Sequence, residues 1–187
     1  MNNNEILLLT VSTVTSALLM PNIDKTISDT IREEKFHKNS IVNAIMKGGD
    51  IWGFSSLFVS LLLLLLMENK HVGMNTLKAT VIGVTVSRGL TIISGRHRPN
   101  VYTNDSMNFN LFKGLKYSLS SLPSGHATVA FAFAAAADNS TPNSMLKTII
   151  LYSMAGITAL SRVYHNKHWL SDVIMGSTIG YLIGSSI

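Results

Sequence analysis

The sequence predicts an all-α protein: an integral membrane six-helix bundle with one interfacial amphipathic helix, forming a single domain over residues 1–187. Two observations carry this prediction. Apolar residues make up 47% of the chain and charged residues 13%, with a mean hydropathy of +0.30. That balance is too apolar for an ordinary soluble domain, and 187 residues are too few for two domains. The apolar residues also gather into runs of roughly membrane-spanning length, separated by polar stretches and turns. Cysteine is absent, which excludes disulfides and thiolate metal sites. The net charge of +5 suits an anionic partner. Nucleic acid is not the expected one, because the basic residues form no run and no nucleic-acid-binding motif accompanies them.

Residues 6–20 form the first apolar run, diluted by Thr10, Ser12, Thr13, Thr15 and Ser16 and stopped by Pro21. It is short for a spanning helix, and a cleaved signal segment is the rival reading. Glu5 and the lack of any Lys or Arg before the run favour a retained first membrane helix. In residues 22–47, Ile23, Ile27, Ile31, Ile41 and Ile45 recur at helical spacing among charges such as Asp24, Lys25, Arg32 and Glu33. This predicts an interfacial amphipathic segment, with a solvated connector as the alternative. Residues 51–187 then make the main helix bundle. Its first helix, 51–67, includes six consecutive leucines and is ended by Glu68, Asn69 and Lys70. The next, over 72–95, carries Gly83, Ser87, Thr91 and Gly95 as a small-residue stripe for close packing, and one anomalous charge, Arg88. A polar and aromatic loop follows to 122, of a composition suited to the headgroup level of a bilayer. Three more helices are expected at 124–137, 144–163 and 168–187, the first rich in alanine and buried among its neighbours. Counting crossings brings Arg98, Ser124 and the 164–167 connection to one face.

That face collects the residues with chemistry. In the stretch from Ser161 to Asp172, His168 and Asp172 are four residues apart, so imidazole and carboxylate are expected on one helical face. An ionisable cluster between apolar runs is costly and points to function. Taken singly, each feature has a plainer reading: a surface His-Asp pair, arginines snorkelling at helix ends, Pro123-Ser124 as a helix start. Trp169 reads as an interfacial anchor and the Gly176, Gly180, Gly184 series as packing. His97 and His165 read as bystanders, and the histidine spacing does not suggest a metal site.

Together the motifs are more specific. Ser161-Arg162, His168 and Asp172 have the spacing of the third signature of the type 2 phosphatidic acid phosphatase superfamily, and Pro123-Ser124-Gly125-His126 matches the second. Of the first signature, Arg98-Pro99 is present, while the position of its lysine holds Thr91. The chain thus resembles that superfamily in motif order and helix pattern. The resemblance implies a membrane phosphatase of a lipid phosphate or diphosphate (phosphatidate, phosphatidylglycerol phosphate or a polyprenyl diphosphate), without a cofactor or metal. It implies His168 as the nucleophile that becomes a phosphohistidine, with Asp172 holding the other ring nitrogen. His126 would protonate the leaving oxygen and then activate water. Arg98 and Arg162 would clamp the phosphoryl oxygens, and Ser124 and the Gly125 amide at a helix start would add dipolar attraction.

For the charge missing at Thr91, Arg88 leads, three residues away on the same helical face, either directly or by pairing with Asp172; Arg96 is the other candidate. Two alternatives stay open: a phosphotransferase of the same fold and, because of Thr91, an inactive lipid-binding membrane protein. Vanadate haloperoxidases share the motifs but are soluble. The family places its site on the extracytoplasmic side of the cell membrane. Against that, Lys25, Arg32, Lys35, Lys38, Lys47, Lys113 and Lys116 fall on the motif-bearing side, which the positive-inside rule assigns to the cytoplasm. The extracytoplasmic side is preferred here, with these cations holding anionic lipid. The expected partners are the lipid substrate and the bilayer; oligomeric state is not fixed by these features.

Overall fold

A computed structural model describes residues 3–33, 39–66, 70–102 and 105–187, without the side chain of Phe54. Lys35, Lys38 and the Glu68-Asn69 helix stop lie outside the described residues. Seven α-helices occur among the described residues: α1 (Asn3–Leu19), α2 (Ile23–Arg32), α3 (Ser40–Leu66), α4 (Lys70–Ser94), α5 (Gly125–Asn139), α6 (Met145–Tyr164) and α7 (Leu170–Ser185). A 3-10 turn at Tyr117–Leu119 and an isolated bridge between Arg96 and Phe109 order the long loop between α4 and α5. Six of the helices occupy the six apolar runs, and α2 is the additional one.

The alanine-rich α5 is the axis, packed against α3, α4, α6 and α7 and buried along nearly its whole length. Alanine has the best helix propensity and the smallest side chain, so this helix needs little from its caps and lets its neighbours come close. The closest neighbour is α7. A Cβ on Gly176 would lie 2.6 Å from the carbonyl oxygen of Ser124, so only glycine permits this approach. On α4 the buried face runs through Thr76, Thr80, Gly83, Ser87 and Thr91, the last three belonging to the stripe read from the sequence. Gly95 ends this helix in the left-handed region, at φ 57°, and turns the chain into the loop.

Three boundaries differ from expectation. The 22–47 segment is not one element: α2 ends at Arg32, and residues 40–47 are the first turns of α3, which starts at Ser40 rather than 51. The Gly48-Gly49 pair does not break α3, because Gly49 presses on α6, where a Cβ would meet the Ile157 carbonyl oxygen at 2.7 Å. Nor are the charges of α2 all solvated, since Asp24 and Ser28 are buried and Ile27 and Ile31 pack on Ala127, Ala159, Val163 and Val173. Finally, α7 starts at Leu170. Trp169 is extended and its amide is capped by the Asp172 carboxylate at 2.9 Å, which leaves His168 in the loop ahead of the helix.

The serines that dilute the first run face inward: Ser12 Oγ lies 2.7 Å from Thr178 Oγ1, and Ser16 Oγ donates to the Ser171 carbonyl at 3.2 Å. Among the described residues, α4 alone is long and apolar enough to cross a membrane as a single straight helix. Two bent pairs pass the same test as units: α1 with α2, at 65°, and the two parts of α3, Ser40–Gly53 and Ser55–Leu66, at 57°.

Candidate active site

The loop between α4 and α5 folds over the ends of α4, α5 and α7 as a ledge of backbone hydrogen bonds. His97 N donates to Asn108 O (3.1 Å), Arg98 N to Ser118 O (3.0 Å) and Ser121 N to Arg96 O (3.1 Å). The ledge fixes Arg98. Its Nε donates to Ser120 O and Oγ, both at 3.1 Å, its Nη2 to Ser120 O at 2.9 Å, and its guanidinium carbon stands 4.3 Å from the centre of the Tyr117 ring. Burial pulls the Arg98 pKa below its ordinary value but leaves a cation.

His168 is 3% exposed, and its Nδ1 donates to the carbonyl oxygen of Ser121 at 2.7 Å. A carbonyl only accepts, so Nδ1 carries the hydrogen and Nε2 keeps its lone pair. The sequence reading assigned that anchoring role to Asp172. Its Oδ2 is 3.8 Å from Nδ1, beyond hydrogen-bond reach, because His168 precedes α7 instead of sharing its face. Asp172 Oδ2 instead accepts from the Ser121 hydroxyl at 2.5 Å and from Trp169 N. Ser121 therefore bridges the two, its carbonyl on the imidazole and its hydroxyl on the carboxylate. Burial is the largest influence on His168 and pushes its pKa down to about 4.

Ser124 is the N-cap residue of α5; its amide donates to the Asp172 carbonyl at 3.0 Å, which ties the starts of α5 and α7 together. Its buried hydroxyl has no partner among the described residues. Gly125 and His126 follow at the first positions of α5 and face a cavity. Arg162, in the last turn of α6, pairs through Nη1 with Asp50 of α3. Asp50 also accepts from Ser161 Oγ at 2.9 Å, and its other oxygen lies 3.4 Å from His165 Nδ1.

Two adjoining cavities meet at these groups. The first, about 410 Å³, has Arg98, Gly125, His126 and His168 at its polar end and Leu57, Phe58, Val84 and Val129 along its apolar walls. The second, about 830 Å³, is lined by Lys47, Asp50, Tyr117, Arg162 and Lys167. Arg88, Arg98, Ser120 and His126 border both. Arg98, His126, His168, Gly125 and Arg162 are thus brought together around one junction, as the crossing count predicts. Among the described residues, no group of three or more His, Asp or Glu side chains is placed to hold a metal ion.

The position of the absent lysine and its two candidate replacements separate clearly. Thr91 lines the first cavity, but its short side chain is tied to the Ser87 carbonyl at 2.7 Å. Arg88 borders both cavities, is exposed, and makes no ion pair among the described residues. Arg96 was expected at the substrate. It is instead fully buried, with its guanidinium committed to Asp24, Asp172, Ser171 and the Ser106 carbonyl, so it does not reach either cavity. The same contacts overturn the suggested pairing of Arg88 with Asp172. Sequence reasoning missed Asp24, Asp50 and Ser121. Asp50 lies inside α3 and Asp24 inside α2.

Among the described residues, an all-helical bundle thus ends in two imidazoles and two arginines beside an apolar cavity. The chain belongs to the PAP2 superfamily, whose profile matches residues 72–187. A lipid A 1-phosphatase of Porphyromonas gingivalis is 38% identical over 65 residues, which cover 34% of this chain and 15% of that protein. Two solved structures share the fold. The PAP2-type phosphatidylglycerolphosphate phosphatase of Bacillus subtilis aligns with a TM-score of 0.72 at 20% identity, covering 96% of this chain and 92% of that one. Aquifex aeolicus LpxE aligns with a TM-score of 0.60 at 19% identity, covering 89% and 92%.

Proposed function

We propose that the protein is a membrane-bound hydrolase that removes phosphate from a lipid phosphate or diphosphate through a phosphohistidine intermediate. The observation that carries this reading is the cavity with a catalytic set at one end and apolar walls along the other. It continues to the outside of the bundle at Phe58, which is 65% exposed. A phosphate held by Arg98 and the start of α5 would leave its acyl or prenyl chain between α3 and α4, directed at lipid. The lipid phosphatases among the relatives and structural neighbours support the same class of substrate.

In this reading the Nε2 lone pair of His168 attacks phosphorus, and the bond to the leaving oxygen breaks with its electron pair on that oxygen. His126 supplies the proton. The ring becomes cationic, with Nδ1–H still on the Ser121 carbonyl and the Asp172 charge 3.8 Å away. His126 then takes a proton from water, which attacks phosphorus and breaks the P–N bond. Arg98 and Arg162 meet the charge on the equatorial oxygens throughout, and Arg88 supplies the charge absent at Thr91. The two fixed arginines, Arg88 and the amides at the start of α5 leave no charge that a metal must supply.

The bundle lies in a cell membrane, with the site on the extracytoplasmic side and α2 beside it. The test is phosphate release by purified protein in detergent from phosphatidate, phosphatidylglycerol phosphate and a polyprenyl diphosphate. Release from at least one, lost in His168→Ala, is expected. Tight lipid binding with no release from any would overturn the hydrolase reading in favour of a binding protein, and transfer of label to a second lipid would favour a phosphotransferase.

A further inference from the structure

One buried ionic cluster enters the steps above only through Asp172. Asp24 of α2, Arg96 of the loop and Asp172 of α7 are 1%, 0% and 0% exposed. Arg96 Nη2 donates to Asp24 Oδ2 at 2.8 Å, and its Nη1 donates to Asp172 Oδ1 and, at 2.7 Å, to Ser171 Oγ. Asp24 also accepts from Ser171, through Oδ1 from the amide at 3.0 Å and through Oδ2 from the hydroxyl at 2.5 Å. The place of Asp24 is set independently by its helix, since Ile27 and Ile31 pack on the bundle and Ser28 Oγ is 2.7 Å from the side-chain amide of Asn166.

Two carboxylates and one guanidinium leave one negative charge enclosed in the protein, and a buried charge without a counter-ion is costly. The nearest group able to become a cation is His168, whose Nδ1 lies 3.8 Å from Asp172. In the reaction proposed above, on which this inference rests, that ring is neutral before attack and positive after it. The cluster and the ring therefore sum to −1 in the free enzyme and to zero once the imidazole carries charge. Were Asp24 neutral, Arg96 alone would cancel Asp172, and the attacking ring would face no net charge.

We infer that Asp24 is a positioning residue for the reaction: it takes up the charge of Arg96 so that Asp172 remains a net negative partner for His168. Asp24 acts through Arg96 and touches neither substrate nor His168, which separates its role from that of a catalytic residue. It also gives α2 a task beyond membrane contact.

The test uses the full-length protein in detergent with dioctanoyl phosphatidate. Asp24→Asn, which is isosteric, should lower kcat by about 10- to 100-fold with KM within about twofold, because the lost term acts only on charge developing in the transition state. Adding Arg96→Gln removes the opposing cation and should raise kcat at least about tenfold above the single variant. A merely structural role predicts the reverse, since the double variant loses every Arg96 hydrogen bond. Wild-type kcat in Asp24→Asn, or a double variant no faster than the single one, would overturn the inference.

If the double variant does not fold, Asp24→Glu decides, being faster than Asp24→Asn if charge matters and slower if shape does. A second readout needs no turnover: the titration midpoint of His168 by NMR of protein with labelled histidine. The charged and titratable groups facing that ring are Asp172, Arg98, Arg162 and His126, all unchanged in these variants. The midpoint should fall in Asp24→Asn and recover in the double variant. Should wild-type protein release no phosphate from any lipid, the hydrolase reading fails while this titration still decides the role of Asp24; an unmoved midpoint sinks it.

Discussion

Replacing Gly53 with alanine adds one methyl group to α3 at the place where it passes the His126 ring. The new Cβ would stand 2.6 Å from His126 Cδ2, 3.0 Å from His126 Cβ and 3.0 Å from Thr158 Cγ2. Carbon atoms rest at about 3.5–4.0 Å, so the ring must retreat by roughly 1 Å. A misplacement of about 1 Å in a catalytic group costs on the order of 10²-fold. The helix itself gains from the change, since alanine is favoured over glycine by about 1 kcal/mol in a helix interior. Overpacking at these contacts costs about 1–3 kcal/mol and opposes that gain, so the variant should stay folded, melt at or somewhat below the wild-type temperature, and be about 100-fold slower in kcat. The assay is continuous phosphate release, with a thermal melt in the same detergent and Gly48→Ala as the control, because a Cβ there meets nothing within 4 Å. Gly53→Ala with kcat within twofold of wild type would refute the placement of His126 at the reacting group.

Arg88→Ala should lower kcat/KM by about 10- to 100-fold, as loss of one charge-assisted contact to phosphate, and Thr91→Lys added to it should restore part of that loss in the same phosphate-release assay. Burial holds the His168 pKa near 4, and the neutral ring is the nucleophile, so lowering the pH from 7 to 5 should leave kcat/KM without the steep loss that an ordinary imidazole of about 6.5 would impose. A pH profile falling tenfold across that range would contradict it. Activity should survive prolonged EDTA treatment and be inhibited by vanadate, which mimics five-coordinate phosphorus; loss with EDTA restored by one divalent ion would contradict the metal-free mechanism.

Much of the arrangement could be read from the chain because the motif residues sit at the ends of apolar runs. Once the runs are counted, Arg98, Ser124, Arg162 and His168 must fall at one end of the bundle, and Gly176, Gly180 and Gly184 mark α7 for close packing, which the structure gives to α5. What escaped is of two kinds. The anchor of His168 is a backbone carbonyl, that of Ser121, in an irregular loop, and backbone groups leave no mark in composition. The helical spacing of His168 and Asp172 was misleading, because the extended Trp169 starts α7 after the histidine. The ionic partners of Asp24 and Asp50 are equally hidden: Arg96 and Arg162 lie 72 and 112 positions away. In residues 22–47 Asp24 looks like part of an interfacial or solvated face, and only the packing of Ile27 and Ile31 turns it inward. Arg96 looked like a phosphate ligand for the converse reason: its neighbour Arg98 faces the cavity, and sequence does not record which of two arginines is consumed by buried carboxylates.

The central claim is that His168 attacks phosphorus. Rapid acid-free quenching of the enzyme with radiolabelled lipid phosphate, followed by proteolysis and mapping, tests it most directly, with His168→Ala and His126→Ala run alongside. An acid-labile, alkali-stable label is expected on the peptide holding His168. That label should be absent in His168→Ala and slow to form in His126→Ala, with the two losses far from additive when the variants are combined. A phosphoryl group trapped on any other residue, or full turnover by His168→Ala, would contradict it.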